Sequence, residues 1–196
     1  MPSPKKKARP AAPLSREAWV KAATNLIALE GVQAVAVEPL ALALGVTKGS
    51  FYWHFRNRDE LIQAALEAWE QDQSADVVTR YGGIVDPRRR LRVLLFAAFE
   101  DVANGKFFAA LAVSSGDPRV QPYLRRATER RLAFGVEAFQ ALGLAEDEAR
   151  QRALLAYAAY AGYFQLLRTT PEAVAAVTDL SGYVRRLADA LVPDLR

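Results

Sequence analysis

Three times beyond residue 13 a residue able to cap a helix stands directly before a proline: Asp86-Pro87, Asp117-Pro118 and Thr170-Pro171. The Asp or Thr oxygen accepts bonds from the free amides of a first helical turn, and proline fits there because its missing N–H had no partner to lose. The three pairs predict helices over about 87–103, 118–142 and 171–191. Ser15 caps another, whose Trp19, Ala22, Ala23, Leu26 and Ile27 follow helical spacing until Gly31 stops it. Helices are also expected over about 38–44, with Pro39 in the first turn, and about 47–54, beyond a break at Gly45. Asn57-Arg58-Asp59-Glu60 starts a fourth, to about 80, with Asn57 as cap, Glu60 reaching back to the cap's amide, and Leu61, Ala65, Leu66 and Trp69 facing inward. After the loop Tyr81-Gly82-Gly83, Asn104-Gly105 opens a short helix holding Phe107, Phe108 and Leu111, and Gly143 separates 118–142 from a helix of about 146–168. No stretch reads as a strand and no internal repeat is apparent. The expected fold is all-α, with about nine helices.

Composition removes several kinds of chemistry. Without cysteine there is no disulfide framework, thiolate metal site or cysteine nucleophile, and the single histidine, His54, cannot build a multi-histidine metal centre. No metal and no cofactor is expected. Residues 1–13 hold no apolar run and do not read as a secretory signal. The longest apolar run, 153–167, is interrupted only by Gln165 and falls short of the ~20 residues needed to span a bilayer. A soluble, cytoplasmic protein without membrane contact is expected. Residues 1–60 carry nine Lys or Arg against five Asp or Glu, whereas the rest carries seventeen of each. The whole net charge of +4 therefore sits in the first third, which suits a basic module that meets a polyanion. Residues 1–13, with Lys5-Lys6-Lys7 and Arg9, read as a flexible basic arm, either adding phosphate contacts or acting as a solubilising tail.

The segment 37–55 is the most specific. Leu40, Ala41, Leu44, Val46 and Phe51 let two short helices pack together, Ala41 being small where they cross. Gly45 sits at the sharp turn between them. The next helix opens with Thr47, Lys48, Gly49 and Ser50: a cap, a cation, a bare backbone and a short hydroxyl, suited to a major groove. Tyr52, His54 and Arg58 add donors. Trp53 reads partly as packing, whereas the Tyr52 hydroxyl needs a polar partner, and His54 suits local carbonyls and phosphate equally.

The run Pro39-Leu40-Ala41-Leu42-Ala43-Leu44-Gly45-Val46-Thr47-Lys48-Gly49-Ser50-Phe51-Tyr52-Trp53-His54-Phe55, followed by Arg58-Asp59-Glu60-Leu61, resembles the DNA-binding domain of the TetR family of bacterial transcriptional regulators. The likeness covers about residues 15–65, and beyond them only length and helical character agree. It implies that Thr47, Lys48, Gly49 and Ser50 lie at the groove, that Tyr52, His54 and Arg58 bind phosphates, and that Phe51 and Phe55 are core. Val37 departs from the pattern, since the family commonly has Thr or Ser there as helix cap and phosphate ligand. The expected organisation is an arm over 1–13, a three-helix helix-turn-helix domain over 14–57, and a larger helical ligand-binding and dimerisation domain over 58–196.

In the C-terminal part, Ala173, Val177, Leu180, Val184, Leu187 and Leu191 alternate in steps of four and three, an apolar seam for another helix. The preceding helix is apolar nearly all round. The two together suit a four-helix dimer interface, which the resemblance also implies, with Val177, Leu180, Val184, Leu187 and Leu191 as candidate contacts. Dimerisation fits a palindromic operator in double-stranded DNA. A ligand cavity for a small apolar or amphipathic molecule is likewise implied by the resemblance, with Phe99, Phe107, Tyr123, Phe134 and Tyr160 as candidate lining, although aromatics at helical spacing also suit plain core. Arg88-Arg89-Arg90, Arg125-Arg126 and Arg130-Arg131 read as solvated faces. A non-enzymatic repressor released from DNA by a small molecule is the leading expectation. A DNA-binding architectural protein without such control is the alternative, and an enzyme or lipid carrier finds no supporting acid–base pair, phosphate loop or metal cluster.

Overall fold

A computed structural model of the chain describes residues 14–75, 81 and 83–192; the arm over 1–13 and the expected end of the fourth helix near 80 lie outside them. Among the described residues there are helices and no strand. In chain order they are α1 (Arg16–Glu30), a 3-10 turn (Val32–Ala34), α2 (Val37–Ala43), α3 (Lys48–Phe51), α4 (Arg58–Ala75), α5 (Pro87–Glu100), α6 (Val102–Val113), α7 (Gln121–Gln140), α8 (Glu146–Thr169), α9 (Pro171–Ala175) and α10 (Leu180–Leu191).

Local chemistry explains most of the boundaries. Ser15 accepts from the Ala18 amide, and α1 ends where Gly31 takes φ 94° while its N–H bonds Ile27. Asp86 accepts from the Arg88 amide in front of Pro87, the arrangement the pair predicts. Asp117-Pro118 behaves differently. The Asp117 carboxylate accepts from the Arg119 amide, but residues 118–120 form a turn and α7 starts only at Gln121. The expected helix over 171–191 is interrupted. Five residues of α9 follow Pro171, residues 176–179 leave the helix, and Asp179 caps α10 by accepting from Gly182 at 2.7 Å. Asp179 offers the backbone an alternative to continuing the helix, which the apolar seam could not reveal. Asn104-Gly105 opens no helix: Asp101 caps α6 by accepting from the Asn104 amide, and Gly105 lies inside the helix. Gly105 is there for packing, since a Cβ would stand 2.2 Å from the ring of Phe164.

One continuous apolar core runs through these helices. Trp19, Ala23 and Ile27 of α1 are buried with Leu61, Ile62, Ala65 and Leu66 of α4. Helix α1 also packs on α6, α6 on α8, and α8 on α7, while α10 lies against α5. Two arginines fasten α1 and its sequel. Arg168, at the end of α8, donates to the carbonyls of Ala28 (3.2 Å) and Leu29 (3.3 Å), and Arg119 pairs with both Asp117 and Asp59 at the start of α4. Asp117 in turn accepts from Gln33 of the 3-10 turn at 3.1 Å. The Arg119 hydrogen bond holds the Asp117 carboxyl down to about 2.

Candidate nucleic-acid interface

Helices α2 and α3 meet at a turn whose geometry follows from one glycine. Gly45 adopts φ 68°, its N–H bonds Leu42, and the Val46 N–H bonds Ala41 at 3.0 Å, which together terminate α2 in a Schellman motif. The chain then reverses into Thr47, whose extended backbone starts α3 without a capping bond from its own hydroxyl. The inner side is fixed by Leu40, Ala41, Phe51 and Phe55, all buried, with Phe51 edge-on to Trp19 at 5.4 Å and stacked on Phe55 at 5.4 Å. The helix pair is thus held from behind, and its other side is open.

On that open side lie Thr47, Lys48 and Gly49, exposed, and Ser50, half-buried. Tyr52 is 56% exposed. Trp53 is 87% exposed, so it does not pack into the core as the sequence suggested; the chain leaves α3 at Tyr52 and turns its next side chain outward. Leu42 is also outside, 83% exposed. The Lys48 ammonium donates to Glu38 at 2.5 Å between two exposed groups. That hydrogen bond keeps the Glu38 carboxyl below its ordinary value and raises Lys48 above its own. His54 is half-buried beside Phe55. Arg58 points inward. Its guanidinium donates to the carbonyls of Val35 (2.5 Å), Val32 (3.1 Å) and Gln33 (3.2 Å), tying α4 to the 3-10 turn. At the start of α4 Asn57 accepts from the Glu60 amide, but the Glu60 carboxylate reaches the Arg56 amide rather than that of Asn57. The N-cap of α2 is Ala36, which makes no side-chain capping bond, and Val37 follows as the first helical residue.

Between α5, α7 and α8 lies a cavity of about 730 Å³. Of the five aromatics singled out in the sequence, Phe99, Phe134 and Tyr160 line it, but Phe107 and Tyr123 do not. Phe107 is core, stacked on Trp69 at 5.2 Å, and Tyr123 sits under the Arg126 guanidinium at 4.7 Å. Polar groups missed in the sequence also reach the wall: Asn104, Arg131 and Tyr157. Arg131 lies over the rings of Phe108 (4.8 Å), Tyr160 (5.2 Å) and Trp69 (5.9 Å), so it is no solvated-face arginine. Ala127, Arg131, Phe134 and Ala138 recur at helical spacing, and that signal could have placed Arg131 on the inner side of α7. Arg130, on the same wall, pairs with Glu70 of α4 at 3.0 Å, as does Arg126 at 2.8 Å. Among the described residues no cluster of His, Asp and Glu could hold a metal ion.

The expected dimer contacts divide. Val184 and Leu191 are 1% and 5% exposed inside the subunit's own core, because α10 packs on α5 and α8. Leu180 and Leu187 are half-buried, and Val177 lies in the break before α10. An exposed apolar stripe lies instead on α8, where Leu155, Ala158, Gly162 and Leu166 are exposed at steps of three and four. No helix among the described residues is long and apolar enough to cross a membrane.

A wholly helical chain (so far as it is described) with a glycine-hinged helix-turn-helix near its N-terminus defines the class. The family model described as "Bacterial regulatory proteins, tetR family" matches residues 20–65. Over these residues the chain is similar to that family. It is similar to the HTH-type transcriptional regulator TtgR of Pseudomonas putida, 32% identical over 91 residues covering 45% of this chain and 42% of that protein. It is also similar to AcrR of Shigella flexneri, 32% identical over 96 residues, with coverage of 46% and 42%. The chain thus spans about two fifths of the length of these curated relatives. Its fold is that of a TetR transcriptional regulator from Legionella pneumophila, with TM-score 0.75 and 15% identity over 91% of this chain and 97% of that one. A TetR transcriptional regulator from Chloroflexus aurantiacus gives TM-score 0.74 at 20% identity, over 88% and 91%.

Proposed function

We propose that the protein is a cytoplasmic, homodimeric regulator of transcription that binds a palindromic operator and leaves it when a small molecule enters the cavity. One observation carries the DNA-binding reading: Thr47, Lys48, Gly49 and Tyr52 stand exposed on a helix pair whose opposite side is locked into the core. Ser50 and His54 would complete the groove and phosphate contacts. Arg58 would act indirectly, holding α4 against the turn that precedes α2, unless it exchanges its carbonyls for a phosphate. In this reading residues 14–57 form the DNA head, residues 58–196 the sensing and dimerising part, and residues 1–13 a basic arm. The exposed stripe on α8 supports a twofold helix pairing, with Val177, Leu180 and Leu187 able to flank it. Two such heads would match half-sites about one helical turn apart, ~34–36 Å. The cavity favours this reading over a purely architectural protein, for which a filled interior would serve better. By linkage, ligand and operator would weaken each other's binding by the same factor.

Fluorescence anisotropy on a genomic fragment selected by the purified protein tests the assignment. Lys48→Ala and Tyr52→Ala are each expected to weaken binding about tenfold without altering the dimer, and Lys48→Ala to lower the salt slope by about one. Glu38→Gln, which frees Lys48 and removes a negative charge from the face, is expected to tighten it. Affinities unmoved by all three substitutions refute the assignment.

A further inference from the structure

The cavity wall carries a buried hydroxyl that its surroundings leave unanswered. Tyr160 is 6% exposed, and its hydroxyl, enclosed by the protein, has no hydrogen-bond partner. A buried O–H without an acceptor costs free energy, and the group stays protonated because burial pushes it up to about 12. It is therefore a donor held within the wall of a space whose lining includes Leu91, Leu95, Phe99, Phe134 and Phe139. The cation Arg131 lies over the Tyr160 ring at 5.2 Å and on the same wall. The acidic residues of the wall, Asp72, Glu100 and Asp101, are all exposed, and Asp101 is already engaged in capping α6. Donors thus sit inside, and negative charge sits where the cavity meets solvent.

We propose that the cavity takes a small amphipathic anion, its carboxylate-type oxygens received by the Tyr160 hydroxyl beside Arg131 and its apolar body lying against α5 and α7. This rests on the sensor reading above and narrows it from any small apolar or amphipathic molecule to an acid. The Asn104 amide belongs to the same end of the site, since its Oδ1 already receives Trp69 Nε1 at 2.9 Å and Arg131 at 3.4 Å. The Arg131 guanidinium is thereby held in place on the wall that the oxygens would meet.

Isothermal titration of the full-length protein with 2-naphthoate, its neutral amide and 2-naphthylmethylammonium separates the two readings. The acid is expected to bind at least tenfold more tightly than the amide, and the ammonium more weakly still. Tyr160→Phe, which keeps the ring and its packing, is expected to weaken the acid about tenfold and the amide less. Arg131→Gln should level the acid with the amide, whereas Arg131→Lys should keep part of the difference. Equal or better binding of the amide or the ammonium overturns the anion inference alone, as does a Tyr160→Phe protein with unchanged affinity for the acid. Failure of all three probes to bind counts against the sensor reading as well.

Discussion

Alanine at Gly105 would place a methyl carbon 2.2 Å from the ring of Phe164, where carbon–carbon contacts settle near ~3.5–4.0 Å. The ring would have to retreat by about 1.5 Å to restore contact. It has nowhere to go: Phe164 is fully buried, with Tyr160 at 5.0 Å, Tyr163 at 5.1 Å and Phe99 at 6.3 Å around it. Overpacking of this kind costs ~1–3 kcal/mol, and the better helix propensity of alanine returns at most ~1 kcal/mol. Gly105→Ala is therefore expected to destabilise the protein by about 1–2 kcal/mol, a fall in Tm of about 2–8 °C for a chain of this size. Thermal unfolding at matched protein concentration measures it. Phe164→Leu makes room for the methyl, so the double substitution should cost less than the two single ones added together. A Gly105→Ala protein as stable as the parent, or a strictly additive double variant, refutes the claim that glycine is there for the ring.

Gly162 provides the contrast. A Cβ at this position meets nothing within 4 Å, so the subunit itself tolerates Gly162→Leu; on the proposed α8 stripe the same change should split the dimer, read as a halved mass in sedimentation and weaker operator binding. An intact dimer would place the interface elsewhere. Asp117 should give stability an acid limb. Its folded value of about 2 lies below the ordinary 3.8, so the stabilisation is complete above the ordinary value and is lost as pH falls from about 4 through about 2. Asp117→Asn is expected to lower stability at neutral pH and to flatten its decline over that window in denaturant titrations; an unchanged slope contradicts the Arg119–Asp117 pairing.

Signals confined to a few neighbouring residues were legible in the amino-acid order alone. Ser15, Asp86 and Gly45 each act within one turn of the chain, and each does what its residue type predicts. The core side of the helix-turn-helix was equally readable, Leu40, Ala41 and Phe51 from the apolar pattern of two packed helices and Phe55 from what the family resemblance implies. Competition between neighbouring caps was not. Asp101 and Asn104 both suit a helix start; the earlier one is used, and it leaves Gly105 inside the helix against Phe164, on a helix distant in the chain. The choice of outer faces was also hidden. Helix α8 is apolar on most sides, so periodicity could not tell Tyr160 and Phe164, turned inward, from Leu155 and Leu166, turned out. Arg131 escaped notice because a charged pair reads as surface, while a guanidinium over three rings is a tertiary arrangement. In the candidate interface the exposure of Thr47, Lys48 and Gly49 follows from a short polar run on a packed helix pair, but the inward turn of Arg58 depends on carbonyls more than twenty residues upstream.

The grip of Arg168 on the carbonyls of Ala28 and Leu29 has a mechanical meaning. One rod, α8, bounds the cavity at Tyr157 and Tyr160 and ends in a hook latched to the tail of α1. A tilt of the rod at its middle would bear on α1 at its tip, and α1 carries Trp19, the ring against which Phe51 of α3 rests.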